Sequence, residues 1–318
     1  MQASTKPNKS VIITGGNSGL GYACAEAIAR SGQDWHIIIA SRDLSRVTAA
    51  VDTLIAETDY SQIEGMTLDL ASLASVRQFS QDIVTGKRPP LQAIICNAGV
   101  LIVSDTRYTT DGFEMTFGVN HLGHFLLVNL LLPHLSNRAR VEFVSSDAHN
   151  PDLNTGFPHP QYQNAKALAF PVGEDSVDIG NTGRLRYTNS KLCNLLCAYE
   201  LSRRLQQQRL QIMVNVFNPS FMLDTQLGRD YSQAEISALS KNLDITKSKS
   251  SKTVGSDLAR LILDPALENT TGKYFDGLAE IRSSTESYDL KEAAELWESS
   301  VELVKLSAKE LTFLQCRV

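Results

Sequence analysis

Six short runs in this chain are apolar almost without interruption: VIIT at 11–14, WHIIIAS at 35–41, MTLDL at 66–70, LQAIICNA at 91–98, VEFVSS at 141–146 and IMVNVFN at 212–218. A strand with one face in water alternates polar and apolar residues, so unbroken runs imply strands covered on both faces, as in a parallel sheet. Between them, 22–31, 46–56, 73–84, 113–135 and 187–205 have the spacing of amphipathic helices. Strand and helix units repeated with right-handed crossovers build a doubly wound, Rossmann-type α/β fold, whose ligands bind beyond the carboxyl ends of the strands. One domain over 1–318 is expected, extended at its C-terminus by an amphipathic helix at 289–306. Residues 150–186 form a long Pro- and Gly-bearing connection, expected to serve as a substrate loop, and 226–318 supply substrate-side and C-terminal elements. The Lys- and Ser-rich stretch 240–256 reads as a loop.

Composition narrows the partners. A net charge of −5 over 318 residues gives no electrostatic reason to bind nucleic acid. The N-terminal MQASTKPNKS lacks the apolar core of a signal peptide, and the lipophilic stretch 125–135 is about half of what a bilayer needs and contains Asn129 and Pro133, so it reads as a buried helix. A soluble, cytoplasmic protein is expected, with peripheral membrane association left open. The cysteines at 24, 96, 193, 197 and 316 are odd in number and mostly in apolar surroundings, which suits small core residues better than disulfides. His121 and His124 lack a third ligand, so helix packing is expected of them and no metal.

The run Thr14-Gly15-Gly16-Asn17-Ser18-Gly19-Leu20-Gly21 closes the first strand and opens the first helix. Glycines there let backbone N–H groups approach a pyrophosphate, which a helix N-terminus also favours electrostatically. The cofactor contacts expected here are Gly15, Asn17, Ser18, Gly19, Leu20 and Gly21. After the second strand, where an acidic residue would select NAD, stands Arg42, suited to a 2′-phosphate; NADP(H) is therefore expected. Arg46 is either a second phosphate contact or helix surface. Asp69, followed by Leu70, could meet the adenine or cap the next helix, with Ser72 a competing cap. Asn97, Ala98 and Gly99 end the fourth strand with side chains small enough for a ribose to lie against the backbone.

Tyr187 and Lys191 are four apart at the start of a helical segment, so their side chains share a face. A tyrosine ordinarily titrates near 10, and a neighbouring ammonium is expected to bring it down. Spacing alone is weak evidence. The order of motifs is stronger: the glycine loop, Asn97-Ala98-Gly99, Asn120, Ser145-Ser146, then Tyr187-Thr188-Asn189-Ser190-Lys191.

In that order the chain resembles the short-chain dehydrogenase/reductase family over roughly its first 225 residues. The resemblance implies Tyr187 as general acid or base, Ser146 on the substrate oxygen with Ser145 as runner-up, Lys191 tuning Tyr187 and binding ribose, and Asn120 supporting a water-linked proton path. It also implies cofactor contacts at Pro219 and Thr225. Trp35-His36, the run Asn120 to Phe125, Ser190 to Asn194 and the tail at 296–300 look most like the protochlorophyllide reductase and retinol dehydrogenase branches, whose substrates are large and apolar. Two departures stand out: Pro219-Ser220 where the family has Pro-Gly, and Phe221 where the light-dependent enzymes carry Cys. The helices at 113–135 and 187–205 resemble those through which relatives dimerise, which leaves a homodimer open. Together these features predict NADPH-dependent hydride transfer to a carbonyl, or an activated C=C, of a lipophilic small molecule. The alternatives are a light-dependent protochlorophyllide reductase-like enzyme and a non-catalytic NADP-sensing or scaffold protein.

Overall fold

A computed structural model describes residues 7–172, 178–222, 224, 227–231 and 248–314. Eight strands form one sheet in the order β3-β2-β1-β4-β5-β6-β7-β8. They are β1 Lys9–Thr14, β2 Trp35–Ser41, β3 Ile63–Thr67, β4 Leu91–Cys96, β5 Leu135–Val144, β6 Met213–Asn218, β7 Tyr274–Asp276 and β8 Ala279–Ile281. All neighbouring pairs are parallel except β7–β8. Strand order reverses between β1 and β4, and that reversal opens a crevice at the carboxyl ends.

The helices are α1 Gly19–Ala29, α2 Leu44–Thr58, α3 Leu73–Thr85, a long α4, α5 Ala165–Ala169, α6 Ile179–Gln207, α7 Ser251–Leu263, α8 Leu290–Leu303 and α9 Ala308–Leu311. Helix α4 runs continuously through Met115–Phe117, the π-helical Gly118–Gly123 and His124–Leu131. The unbroken apolar strands face two cores. Ile12, Ile38 and Ile94 point to the side of α3, α4 and α6, whereas Val11, Ile13, Ile37 and Ile39 point to the side of α1 and α7.

Several expected boundaries move. Strand β3 is Ile63–Thr67, not 66–70: Leu68 N–H still reaches Ser41 O at 2.9 Å, but the chain then leaves the sheet. Leu68 and Leu70 are buried all the same, because the turn folds back onto the core. Helix α6 starts at Ile179, capped by Asp178 accepting from Asn181 N–H at 2.8 Å, so Tyr187 lies two turns inside the helix. The connection after β5 is correspondingly shorter than 150–186. Of the stretch read as a loop at 240–256, Ser250 caps α7 and 251–256 are helical, while 240–247 lie outside the described residues. Strands β7 and β8 were not foreseen. Cys24, Cys96, Cys193 and Cys197 are buried thiols, and Cys316 lies outside the described residues.

Helix α8 lies against α4 and α6. Trp297 meets Phe125 edge-on with centroids 4.9 Å apart, the Arg204 guanidinium stacks 4.7 Å from the Trp297 ring, and His121 Nε2 bonds Ser300 Oγ at 2.9 Å. Part of the surface of α4 and α6 is therefore covered by α8. One helix, Met115–His134, is long and apolar enough to cross a membrane, yet 89% of that stretch is buried inside the protein.

Candidate active site

The glycine loop and the end of β4 are joined through Thr14, the last residue of β1. Its hydroxyl oxygen accepts from Asn97 N–H and Ala98 N–H, both at 3.0 Å, while Asn97 Nδ2 donates to Thr14 O at 2.8 Å. Thr14 Oγ1 also lies 2.8 Å from His124 Nε2, and His124 Nδ1 lies 3.1 Å from Asn120 O. A carbonyl can only accept, so Nδ1 carries the proton and Nε2 accepts from Thr14. Burial pushes His124 down to about 4, which keeps it neutral. His124 thus braces the loop from below, and His121 stacks on Phe117.

A cleft of ≈ 460 Å³ opens above this platform. Gly15, Asn17, Ser18, Gly19 and Leu20 form its floor, and Arg42, Asp69 and Leu70 one end. Asn97, Ala98, Gly99, Pro219, Tyr187 and Lys191 line the rest. Gly21, Asn120 and Ser146 do not reach the wall.

Gly21 instead permits the close approach beneath the cleft. A Cβ there would sit 2.6 Å from both Gly15 O and Asn97 Nδ2, and Gly15 itself has φ +66°. The Ser18 side chain does not cap α1, so the first N–H groups of that helix are left to an outside acceptor. Asp69 does not cap α3. Its Oδ1 accepts from Ala71 N–H at 3.0 Å, and Ser72 is the cap. Arg42 and Arg46 are exposed at the far end, with Arg46 3.5 Å from Asp43, which caps α2. This is the shape a dinucleotide requires: uncapped helix donors for a pyrophosphate, a floor without side chains, and cations at the adenosine end.

At the other end the side chains expected to carry the chemistry come together. Lys191 Nζ donates to Val144 O at 3.1 Å and lies 5.4 Å from the Tyr187 ring centre. The Ser146 hydroxyl neighbours Tyr187, donates to Asp147 Oδ1 at 3.2 Å and accepts from Ala148 N–H at 3.2 Å. Ser145 touches the cleft, but its Oγ donates to Lys191 O at 2.8 Å, whereas the Ser146 hydroxyl is the one beside Tyr187. Asn120 is fully buried behind Lys191. Its amide brackets Val100, accepting from N–H at 2.8 Å and donating to O at 3.0 Å, and also donates to Ser190 Oγ at 3.0 Å. Ser190 in turn donates to Tyr187 O at 2.7 Å.

The electrostatics differ from expectation at one point. Burial raises Tyr187 above its ordinary value near 10, Ser146 opposes this through its hydrogen bond, and Asp147 adds to it. Burial dominates at Tyr187, and the Lys191 ammonium, bonded to Val144 O, is itself lowered to about 8 by burial alone. The phenol is therefore firmly protonated at neutral pH.

The family model for short chain dehydrogenases matches residues 9–167. Human retinol dehydrogenase 13 is 36% identical over 314 residues, covering 96% of this chain and 87% of that protein. The chain belongs to the short-chain dehydrogenase family. That membership makes it a member of an oxidoreductase family that uses nicotinamide cofactors. The chloroplastic protochlorophyllide reductase of Chlamydomonas reinhardtii is 33% identical, covering 96% of this chain and 80% of that one. Among solved structures, an uncharacterised protein from Mycobacterium paratuberculosis superposes with a TM-score of 0.66 at 30% identity, covering 94% of each chain. The Pseudomonas aeruginosa RhlG/NADP complex shares the fold, with a TM-score of 0.63 at 20% identity over 86% of this chain and 96% of that one.

The departure from the family's Pro-Gly has a local explanation. Ser220 adopts φ +57°, a conformation glycine takes freely, and is held there by its N–H to Asn218 Oδ1 at 3.1 Å and its Oγ to Asp276 Oδ1 at 2.6 Å. Thr225 lies outside the described residues. Residues that sequence reasoning passed over include Thr14, His149 and Arg229. Thr14 had a signal, being a polar residue at the end of an apolar strand. His149 had none: its Nε2 accepts from Ser284 N–H at 3.1 Å, so Nδ1 donates to Ser146 O at 2.5 Å, tying the catalytic turn to the C-terminal region.

Proposed function

We propose that this short-chain dehydrogenase is an NADPH-dependent reductase of a carbonyl, or an activated C=C, in a lipophilic small molecule. The observation that carries it is the meeting of Tyr187 and Lys191, with Ser146 beside Tyr187, at one end of a cleft whose other end is set with Arg42 and Arg46. Gly15 to Gly21, Asp69, Leu70, Asn97 to Gly99 and Pro219 would hold the cofactor, with Thr225 a further contact. When bound, the reduced nicotinamide supplies a hydride to the substrate carbon. As negative charge develops on the substrate oxygen, Tyr187 Oη gives it a proton, and Ser146 Oγ hydrogen-bonds the same oxygen. The phenolate so formed regains its proton from solvent, and the Lys191 donors not spent on Val144 O suit a ribose. Asn120 acts behind them, fixing Gly99-Val100 and Ser190, and supports a water-linked proton path.

The substrate side is apolar. Leu101, Val103, Ala148 and Tyr187 form one cluster, flanked by Phe157, Leu227 and Tyr231, with the Phe157 ring 5.7 Å from that of Tyr187. Such a wall favours a lipophilic substrate, as in the retinol dehydrogenase and protochlorophyllide reductase relatives. We assign one catalytic domain over 1–318 and a cytoplasmic location, with peripheral membrane association left open.

Tyr187→Phe tests the assignment in a screen of NADPH oxidation with retinal, long-chain aldehydes, quinones and porphyrins, in darkness and light. Turnover should fall at least about 100-fold while NADPH affinity, read by calorimetry, stays within about twofold. Unchanged turnover would reject Tyr187 as the acid, and failure to bind either nicotinamide dinucleotide would remove the enzyme reading altogether. The Chlamydomonas relative favours a second reading, photoreduction, which Phe221 opposes. Activity only under illumination would decide for it.

A further inference from the structure

The short turn 227–231, in the chain that follows β6, joins the two rims of the cleft. Asp230 Oδ2 accepts from Val103 N–H at 2.8 Å, Ser104 N–H at 3.0 Å and Ser104 Oγ at 2.8 Å, all in the loop after β4. Its other oxygen lies 3.5 Å from Arg107 Nη2. Three donors on one carboxylate oxygen make a well-defined anchor, and the contacts hold Asp230 below the usual carboxylate range despite its partial burial. The anchor fixes the neighbouring residue, Arg229, in the wall of the cofactor cleft together with Arg42 and Arg46.

Arg229 is brought there against its own electrostatics. Partial burial opposes its charge, Arg42, Arg46 and Arg107 repel it, and Asp230 attracts it. The nearby carboxylates already have duties. Asp43 accepts from Ser45 Oγ at 2.7 Å and Arg46 N–H at 3.1 Å, and Asp230 is engaged on Val103 and Ser104. Guanidinium groups from separate parts of the chain, gathered at one end of a cleft beside carboxylates that are already hydrogen-bonded, form a site for a multiply charged anion.

We propose that Arg229, held in place by the Asp230 anchor, is a specificity-determining residue that completes the site for the ribose 2′-phosphate from the chain after β6. This rests on the NADPH reading above and adds a third cation to it. It also gives the turn a consequence for selectivity: a chain that keeps Arg42 but loses the anchor discriminates less between the two dinucleotides.

The test is calorimetric titration of the full chain with NADPH, NADH, 2′,5′-ADP and 5′-ADP. Arg229→Gln should weaken NADPH and 2′,5′-ADP about tenfold and leave NADH and 5′-ADP within about twofold. Asp230→Ala should weaken the same two ligands in the same direction, and should add nothing in the Arg229→Gln background. Arg229 is exposed, so its substitution leaves the fold intact, and melting temperatures check this. Equal losses for NADPH and NADH, or no loss for either, would overturn the proposal. Arg42→Gln separates the two levels of the argument. If it lowers NADPH affinity selectively while Arg229→Gln does not, the Arg229 inference alone fails. If the native chain shows no preference for NADPH, the 2′-phosphate reading fails and takes this one with it.

Discussion

Glu142 sits in the middle of β5, opposite Ile95 on β4 and Asn215 on β6, with no exposed surface. Its surroundings do little for a charge. Asn215 Nδ2 is 3.5 Å from Oε1 and also serves Thr270 O, and Oε2 has no partner among the described residues. Burial raises Glu142 from an ordinary 4.5 to about 8, with Asn215 and Arg140 opposing. The folded chain therefore keeps this proton at neutral pH while the unfolded chain releases it. Below 4.5 both states are protonated and the group is indifferent to folding. From 4.5 to 8 the unfolded state gains by ionising, so stability falls as pH rises, levelling off above 8.

With about 1.4 kcal/mol per decade, linkage between these two values predicts a fall of roughly 3.5 kcal/mol from pH 5 to pH 8. Glu142→Gln removes the titration while preserving shape. The variant should gain on the native chain by up to that amount across this range in urea unfolding at pH 5, 6, 7 and 8. The buried histidines bend both curves the other way. His121, His124 and His149 are depressed to about 3, 4 and 4, so what they contribute is present above 6.5 and lost as pH falls. They are common to both proteins and cancel in the difference. A difference that is flat with pH, or that shrinks as pH rises, would refute a protonated Glu142.

Two further substitutions probe the cofactor platform and the C-terminal helix. Gly21→Ala places a methyl 2.6 Å from Gly15 O, so the loop must shift, and dinucleotide affinity by calorimetry should drop at least about tenfold. Wild-type affinity would show that the loop gives without consequence. Trp297→Ala empties the space between Phe125 and Arg204 at a residue 2% exposed, and should lower unfolding free energy by about 3–5 kcal/mol. A loss under about 1 kcal/mol would mean that α8 is not part of the cooperative core.

Much of the fold was legible because hydrophobic period is a local property. Four of the six apolar runs overlap their strands closely, since a strand covered on both faces must be apolar at consecutive positions, while the run at 141–146 marks only the last four residues of β5. The third run failed for the same reason: Leu68 and Leu70 are buried by a turn, and burial by a turn looks identical in sequence to burial in a strand. Short β7 and β8 carry no period at all. The start of α6 was missed because its first turns are polar, and what holds them is Gly183 packed against Ile102 and Val103, far away in sequence.

The sequence by itself determined the chemistry available: a glycine loop, Asn120, Ser145-Ser146 and a Tyr-Lys pair in family order, with arginine where the second strand ends. Tertiary structure decided how those groups are used. It tied the Ser145 hydroxyl to the α6 backbone and set Ser146 beside Tyr187, and it raised Tyr187 instead of lowering it because burial dominates. It also covered α4 and α6 with α8 and set Arg229 beside Arg42. The reason is common to all four. Residue type and spacing are written along the chain, whereas desolvation, charge and packing depend on neighbours that only folding brings within a few ångströms.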